Sequence, residues 1–198
     1  MFLVVGLGNP GPAYAGHRHN IGYRAVEAIA EQFRFSPWRR RFQGLTADGE
    51  IATHRVLLLK PETMMNLSGQ SVAAATRFYH LPLEQVIVLY DELDLAPGKV
   101  RVKRGGGSAG HNGIRSMDSH IGRDYLRVRI GIGHPGDPER VSGYVLHDFA
   151  AAERPLFDKV LAALAEAAPL LIQGDLSGFM TKVAFLAPPP RPATPEET

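Results

Sequence analysis

Residues 2–33 read FLVVGLGNPGPAYAGHRHNIGYRAVEAIAEQF. Phe2 to Val5 is a short, continuous apolar run closed by glycine, the pattern of a strand buried on both faces as it enters a loop. The loop runs to about Arg18. Beyond it Ile21, Ala25, Val26, Ile29, Ala30 and Phe33 recur on one helical face, with Asn20 placed to cap the first turn. Strand, loop and amphipathic helix in that order form the opening unit of a layered α/β domain.

The alternation continues downstream. Asp48-Gly49 separates a run from Phe42 to Ala47 from a second run, Ile51 to Leu59, which predicts a hairpin turning at Asp48-Gly49; Pro61 ends its second arm. Asn66 or Ser68 then caps a helix spaced by Val72, Ala73, Thr76 and Tyr79. Val86 to Tyr90 is another apolar strand, ending at Asp91. Val100 and Val102 alternate with Arg101 and Lys103, and Leu126, Val128 and Ile130 alternate with Arg127 and Arg129. Each basic set therefore shares one face of its strand. Between them lie GGGSAGHNG (105–113) and a short helix marked by Ile114, Met117 and Ile121.

Leu156 to Leu171 reads as a long amphipathic helix with Pro155 in its first turn and Pro169 ending or kinking it; a last helical piece covers Leu176 to Phe185. The fold class is α/β: a single domain, residues 1–186, with a central mixed, mostly parallel twisted sheet flanked by helices. The proline-rich polar stretch 187–198, APPPRPATPEET, reads as a disordered tail.

Composition narrows the chemistry. At 198 residues and 44% apolar content, one domain suffices to bury about two-thirds of the unfolded surface. The absence of cysteine excludes disulfides, cysteine-type zinc sites and a thiol nucleophile. No apolar run approaches the roughly 18 residues of a membrane span, and MFLVVGLGNP has no basic segment before its apolar residues, so a cytoplasmic protein is expected. The formal charge of +2 is unevenly placed. Residues 99–129 hold eight basic and two acidic side chains, a local +6 against −4 elsewhere, which points to a polyanionic partner. Spacing alone leaves the alternating basic strands either a solvated face or a phosphate-binding one.

Two motifs mislead. Gly6, Gly8 and Gly11 match the dinucleotide fingerprint G-x-G-x-x-G after a strand, but Pro10 and Pro12 stand where its helix should open, and no strand follows close enough to supply a ribose-binding acid. Gly106, Ser108 and Gly110 match G-x-S-x-G with acids and histidines downstream, yet a glycine-rich loop yields that pattern readily and a nucleophile elbow requires a specific strand-to-helix turn. His17 and His19 lack the helical spacing of a metal pair, and Asp91, Glu92 and Asp94 read as a turn with one functional acid rather than an oxygen cage.

What remains gathers at the carboxyl ends of strands, where open α/β sheets keep their sites. The loops there carry Asn9, Tyr14 and His19, then Asp91, then Asn112 beside His111, while the helix-start loop carries Met64, Met65 and Asn66. An imidazole near its reference pKa of about 6.5 can take a proton from water, and an ionised aspartate can hold its reactive tautomer. Asparagines supply donors and acceptors for a peptide backbone or an ester carbonyl.

The stretches VVGLGNPG (4–11) with Tyr14, RHNIG (18–22), KPETMMNLSG (60–69), DELDLAPGKVRVKRGGGSAGHNG (91–113), RVRIGIGHP (127–135) and VSGYVLHDF (141–149) closely resemble the bacterial peptidyl-tRNA hydrolase family, in order from Val4 to Phe149. The resemblance implies hydrolysis of the ester joining a peptide, or an N-blocked aminoacyl group, to the 3′ ribose of tRNA. By position, His19 corresponds to the catalytic base and Asp91 to the acid that keeps it basic. Asn9 matches the residue associated with preferring blocked groups, and Tyr14, Met64, Asn66 and Asn112 match contacts near the tRNA 3′ end. Lys103 and Arg129 match basic residues that hold tRNA phosphate, which favours the phosphate-binding reading of the basic strands. It implies no cofactor, no metal, no membrane and no obligate protein partner, and a monomer. Met64 departs from the family, where an aromatic is common. The alternatives are a non-catalytic RNA-binding relative of the same fold and a serine hydrolase acting through Ser108.

Overall fold

In a computed structural model, which describes residues 1–191, the apolar run at the amino end is the middle of the sheet. β1 (Phe2–Gly6) pairs in parallel with β4 (His54–Pro61) on one side and β5 (Val86–Glu92) on the other. β7 (Leu126–Gly131) continues the parallel core beyond β5, and β6 (Val100–Arg104) closes that edge antiparallel. On the opposite edge β3 (Gly44–Ile51) pairs antiparallel to β4, and β2 (Arg39–Arg41) to β3, giving the seven-stranded order β2-β3-β4-β1-β5-β7-β6. The expected mixed, mostly parallel sheet is present.

Alternate residues of the strands feed two cores. Val4, Leu58, Ile87, Leu89, Val128 and Ile130 pack with α1 (Ile21–Gln32), α5 (Arg154–Ile172) and α6 (Leu176–Leu186). Leu3, Val5, Leu57, Leu59, Val88 and Tyr90 pack with α2 (Ser68–Tyr79) and α3 (Asn112–Ile121). The short α4 (Val141–Val145) follows β7.

The contact that positions the site is backbone on backbone. A Cβ on Gly22, in the first turn of α1, would strike the Leu89 carbonyl and the Leu7 backbone, and one on Gly6 would strike the Gly22 carbonyl. Only glycine lets the start of α1 lie against β1 and β5. The segment just before it, residues 18–20, is thereby seated beside the end of β5, two residues past Leu89.

Several local expectations are corrected. β3 runs straight through Asp48-Gly49, and the chain reverses at Ala52-Thr53, whose φ values of 49° and 65° are those of a two-residue primed turn. Asp48 stays in the strand because its N–H donates to Ser36 Oγ and its carbonyl accepts from the Ser36 N–H, both at 2.9 Å, while Gly49 lies against the Phe35 ring where a Cβ would clash. Neither Asn66 nor Ser68 caps α2: Asn66 lies in the 3-10 turn Met65–Leu67, and Ser68 Oγ donates to the Met65 carbonyl at 2.7 Å. Asn20 occupies the cap position of α1 without a capping bond. α5 continues through Pro169 to Ile172.

Arg127 is the larger correction. It shares the basic face of β7 with Arg129, but its side chain is 0% exposed. Nη2 meets Asp118 Oδ1 of α3 at 2.9 Å, Nη1 donates to the Gly107 carbonyl at 3.0 Å, and the guanidinium lies 4.5 Å from the Tyr125 ring centre. It ties α3 to β7 and is withdrawn from any ligand.

Of the expected tail, Ala187 is 1% exposed and belongs to the core, whereas residues 192–198 lie outside the described residues.

Candidate active site

β1 and β5 end side by side, and their loops, with those before α2 and α3, enclose a groove of about 600 Å³. His19 enters it from the 3-10 turn Arg18–Asn20. Both neighbours of His19 are buried and bonded. Arg18 donates to the Tyr144 and Asp148 carbonyls, pairs with Glu153 at 2.8 Å and lies 4.2 Å from the Tyr144 ring centre. Asn20 accepts from the Asn9 N–H at 3.0 Å and donates to the Asn9 carbonyl at 2.9 Å. His19 is therefore held from both sides.

His19 Nδ1 lies 2.8 Å from Asp91 Oδ2, and Asp91 is 2% exposed. A carboxylate so buried needs partners for both oxygens. The second is His111, whose Nε2 lies 2.8 Å from Asp91 Oδ1. His111 Nδ1 accepts from the Gly113 and Ile114 N–H groups at 3.1 and 3.3 Å, capping α3. That nitrogen carries no proton, so His111 is neutral and donates through Nε2–H. The chain of bonds determines the tautomer of His19 as well: Nδ1–H faces Asp91, and Nε2 is the nitrogen left for the groove.

Electrostatics follow from this arrangement. Burial opposes ionisation of Asp91, but interaction with the two imidazoles, His19 foremost, outweighs it and holds the carboxyl well below the usual carboxylate range. Burial lowers the His19 pKa, but the Asp91 charge and hydrogen bond overcome it, leaving the pKa above the ordinary histidine value. His19, Asp91 and His111 bring three potential metal-ligand atoms within 4.8 Å of one another. In this structure the three are joined by hydrogen bonds, each imidazole on a separate oxygen of Asp91.

Asn9 is 4% exposed and lines the groove. Its Oδ1 accepts from the Met65 N–H at 2.7 Å, so the amide end, Nδ2, is the part available to a ligand. Met64 (45% exposed), Asn66 and Asn112 line the same groove, with Asn112 Oδ1 accepting from Arg115 at 3.4 Å. The lining also includes the apolar Leu93, Val141, Val145 and Leu146.

Thus six of the nine residues expected from sequence share one groove. Tyr14 does not line it; its ring packs edge-on to His17 at 5.4 Å. Arg129 does not line it either; it lies 3.6 Å from Glu92, which does. Lys103, on β6 opposite Arg127, runs beside Gly106 of the glycine-rich loop. Ser108 is outside the lining, and its carbonyl accepts the His111 N–H at 2.9 Å. The residue that sequence reasoning named without a role is His111, whose only sequence signal is its place just before the α3 helix.

Comparison with known proteins identifies the family. The family model described as peptidyl-tRNA hydrolase matches residues 3–190. A peptidyl-tRNA hydrolase of Rhodospirillum centenum is 56% identical over 96% of this chain and 84% of its own, and one of Chelativorans sp. is 59% identical over 93% and 77%. The crystal structure of peptidyl-tRNA hydrolase from Acinetobacter baumannii superposes with a TM-score of 0.89 at 43% identity, covering 95% of this chain and 96% of that one. The chain therefore belongs to the peptidyl-tRNA hydrolase family, a family of hydrolases.

Proposed function

We propose that this chain hydrolyses the ester between a peptide, or an N-blocked aminoacyl group, and the 3′ ribose of tRNA, with His19 as general base. The observation that carries the reading is the pairing of His19 Nδ1 with ionised, buried Asp91, which leaves Nε2 as the basic nitrogen on the groove side. His19 Nε2 removes a proton from water, and the oxygen adds to the ester carbonyl. The Nδ2 donors of Asn9 and Asn112 flank the reacting carbonyl and the adjoining peptide amide. Collapse of the tetrahedral species breaks the bond to the 3′ oxygen, which takes the proton from His19. The products are a peptide carboxylate, a free 3′ hydroxyl and one released proton.

Met64 and Asn66 hold the terminal nucleotide, Tyr14 acts at the outer rim, and Lys103 and Arg129 neutralise backbone phosphate without reading sequence. The enzyme acts as a cytoplasmic monomer on peptidyl-tRNA released from ribosomes; no helix among the described residues is long and apolar enough to cross a membrane.

The test is release of N-acetyl amino acid from N-acetyl-aminoacyl-tRNA with a chelator present. The wild type turns over. His19→Ala, with unchanged thermal melting, loses activity by about 10²- to 10⁴-fold. Undiminished turnover in that variant removes His19 as the base. Ser108→Ala retains full activity, since the Ser108 hydroxyl is outside the groove.

A further inference from the structure

A second depression of about 430 Å³ lies at the β2 edge of the sheet, lined by Arg40, Arg41, Gln43, Gly44, Glu62 and Thr63. Thr63 precedes Met64 in the chain, so this depression and the groove adjoin along one stretch of backbone. β2 itself is Arg39-Arg40-Arg41, the edge strand furthest from β6.

The cations here are arranged for an external anion. Arg41 donates from Nη1 to the Tyr79 hydroxyl at 2.9 Å, and its guanidinium lies 4.6, 5.2 and 5.6 Å from the ring centres of Phe42, Phe78 and Tyr79. It is fixed in place and has no carboxylate partner among the described residues. Arg40 meets only Glu62, at 3.6 Å, with its side chain 84% exposed. The buried Thr63 Oγ1 at this depression has no hydrogen-bond partner among the described residues. Beside them Phe78 is 61% exposed, a large aromatic left in water 5.2 Å from the Arg41 guanidinium.

We propose that the β2 edge is a second contact surface for the RNA part of the substrate. Arg40 and Arg41 take a backbone phosphate, and Phe78 offers its ring to an unstacked base. Guanidinium groups interleaved with an aromatic ring suit single-stranded RNA, whose phosphates need cations and whose bases stack without regard to sequence. An acidic protein segment would use the charges but leave the ring unexplained. Continuity with the groove identifies the RNA as the substrate's own strand. The inference rests on the tRNA-ester reading above.

The experiment compares wild type with Arg40→Ala/Phe78→Ala, both exposed positions, and with Arg41→Lys, on N-acetyl-aminoacyl-tRNA and on the same ester carried by adenosine alone. The variants raise KM for the full tRNA by about five- to tenfold at unchanged kcat; Arg40→Ala/Phe78→Ala also flattens its dependence on salt by about one phosphate contact, whereas Arg41→Lys, which keeps the charge, leaves the salt slope as in wild type. The adenosine ester is hydrolysed as by wild type. An unchanged KM for tRNA overturns the proposal, as does an equal loss on the adenosine ester. Polyglutamate bound by wild type but not by the variants, with tRNA unaffected, overturns it in favour of an acidic protein partner. Wild type inactive on both esters defeats the hydrolase reading instead. Binding of deacylated tRNA, which needs no hydrolysis, then still reads the surface: the variants must weaken it several-fold.

Discussion

His111 donates Nε2–H to Asp91 Oδ1 across 2.8 Å, on the carboxylate oxygen that His19 does not use. Its other nitrogen is committed to the backbone of α3, so the ring can neither flip nor change tautomer without unsatisfying two N–H groups. This fixes the plane of the carboxylate and hence the direction of the His19 ring. In His111→Ala one oxygen of a buried anion loses its donor, a loss of about 1–3 kcal/mol in stability. Turnover falls by about tenfold or more with KM little changed, and the pH profile moves because Asp91 is less firmly ionised. Urea unfolding with steady-state kinetics across pH checks this; intact stability with unaltered kcat would make His111 only a helix cap.

Asp91 sets where the acid limb of the rate profile falls. The base works only when His19 is neutral, so kcat/KM rises with pH through the His19 pKa, which lies above the ordinary value of 6.5. Burial is the largest influence on that group and pulls its pKa down; only Asp91 reverses the direction. Asp91→Asn removes the charge and leaves the burial, so the limb moves to lower pH while the rate drops at every pH because the tautomer is no longer enforced. A limb that stays in place would show that some other group titrates. Stability carries the opposite sign. The depressed Asp91 pKa contributes stability above the ordinary carboxylate range that is lost as pH falls toward its folded value, so the Asn variant shows a shallower acid transition.

Asn9 separates anchoring from recognition within one side chain. Its Oδ1 is held by the Met65 N–H, and its Nδ2 is left for the substrate. An amide-blocked α-nitrogen comes with a carbonyl that can accept from Nδ2, whereas a free α-amino group is a cation that a donor repels. Asn9→Asp keeps the Met65 anchor and replaces the donor by an anionic acceptor. The ratio of kcat/KM for blocked over free aminoacyl-tRNA falls by about tenfold or more, the equivalent of one charged hydrogen bond. Paired assays on the two esters measure it, and an unchanged ratio would remove Asn9 from specificity.

The sheet and the groove were legible because they rest on short periods and on chain order: β1 and β5 are apolar runs, and His19 and Asp91 fall where those strands give way to loops. What stayed hidden depends on partners distant in sequence. Asn20 has the composition of a cap, yet its amide is spent on Asn9, eleven residues back. Asp48-Gly49 has the composition of a turn, but Ser36 and the ring of Phe35 keep it extended. Arg127 and Arg129 do share a face, as period two requires, but α3 lies over Arg127 and brings Asp118 to it. His111 could be seen beside Asn112, but its place on Asp91 exists only once α3 packs against the end of β5.

Gly22 links that packing to the chemistry. Replacing it by alanine would favour an isolated helix by up to about 1 kcal/mol. Here the added methyl meets the Leu89 carbonyl and the Leu7 backbone, atoms fixed by sheet pairing that cannot rotate away. Overpacking of that kind costs about 1–3 kcal/mol, so Gly22→Ala is destabilised despite the better helix former. The helix relieves the clash by moving off β1 and β5, and it carries the Arg18–Asn20 turn with it. His19 then shifts relative to Asp91, which is anchored in β5. A displacement near 1 Å is enough to lower the rate by about 10²-fold, so kcat falls further than stability alone predicts. Urea denaturation and kcat at a temperature where the variant is fully folded separate the two effects. A variant more stable than wild type would mean that α1 does not press on the sheet at this glycine.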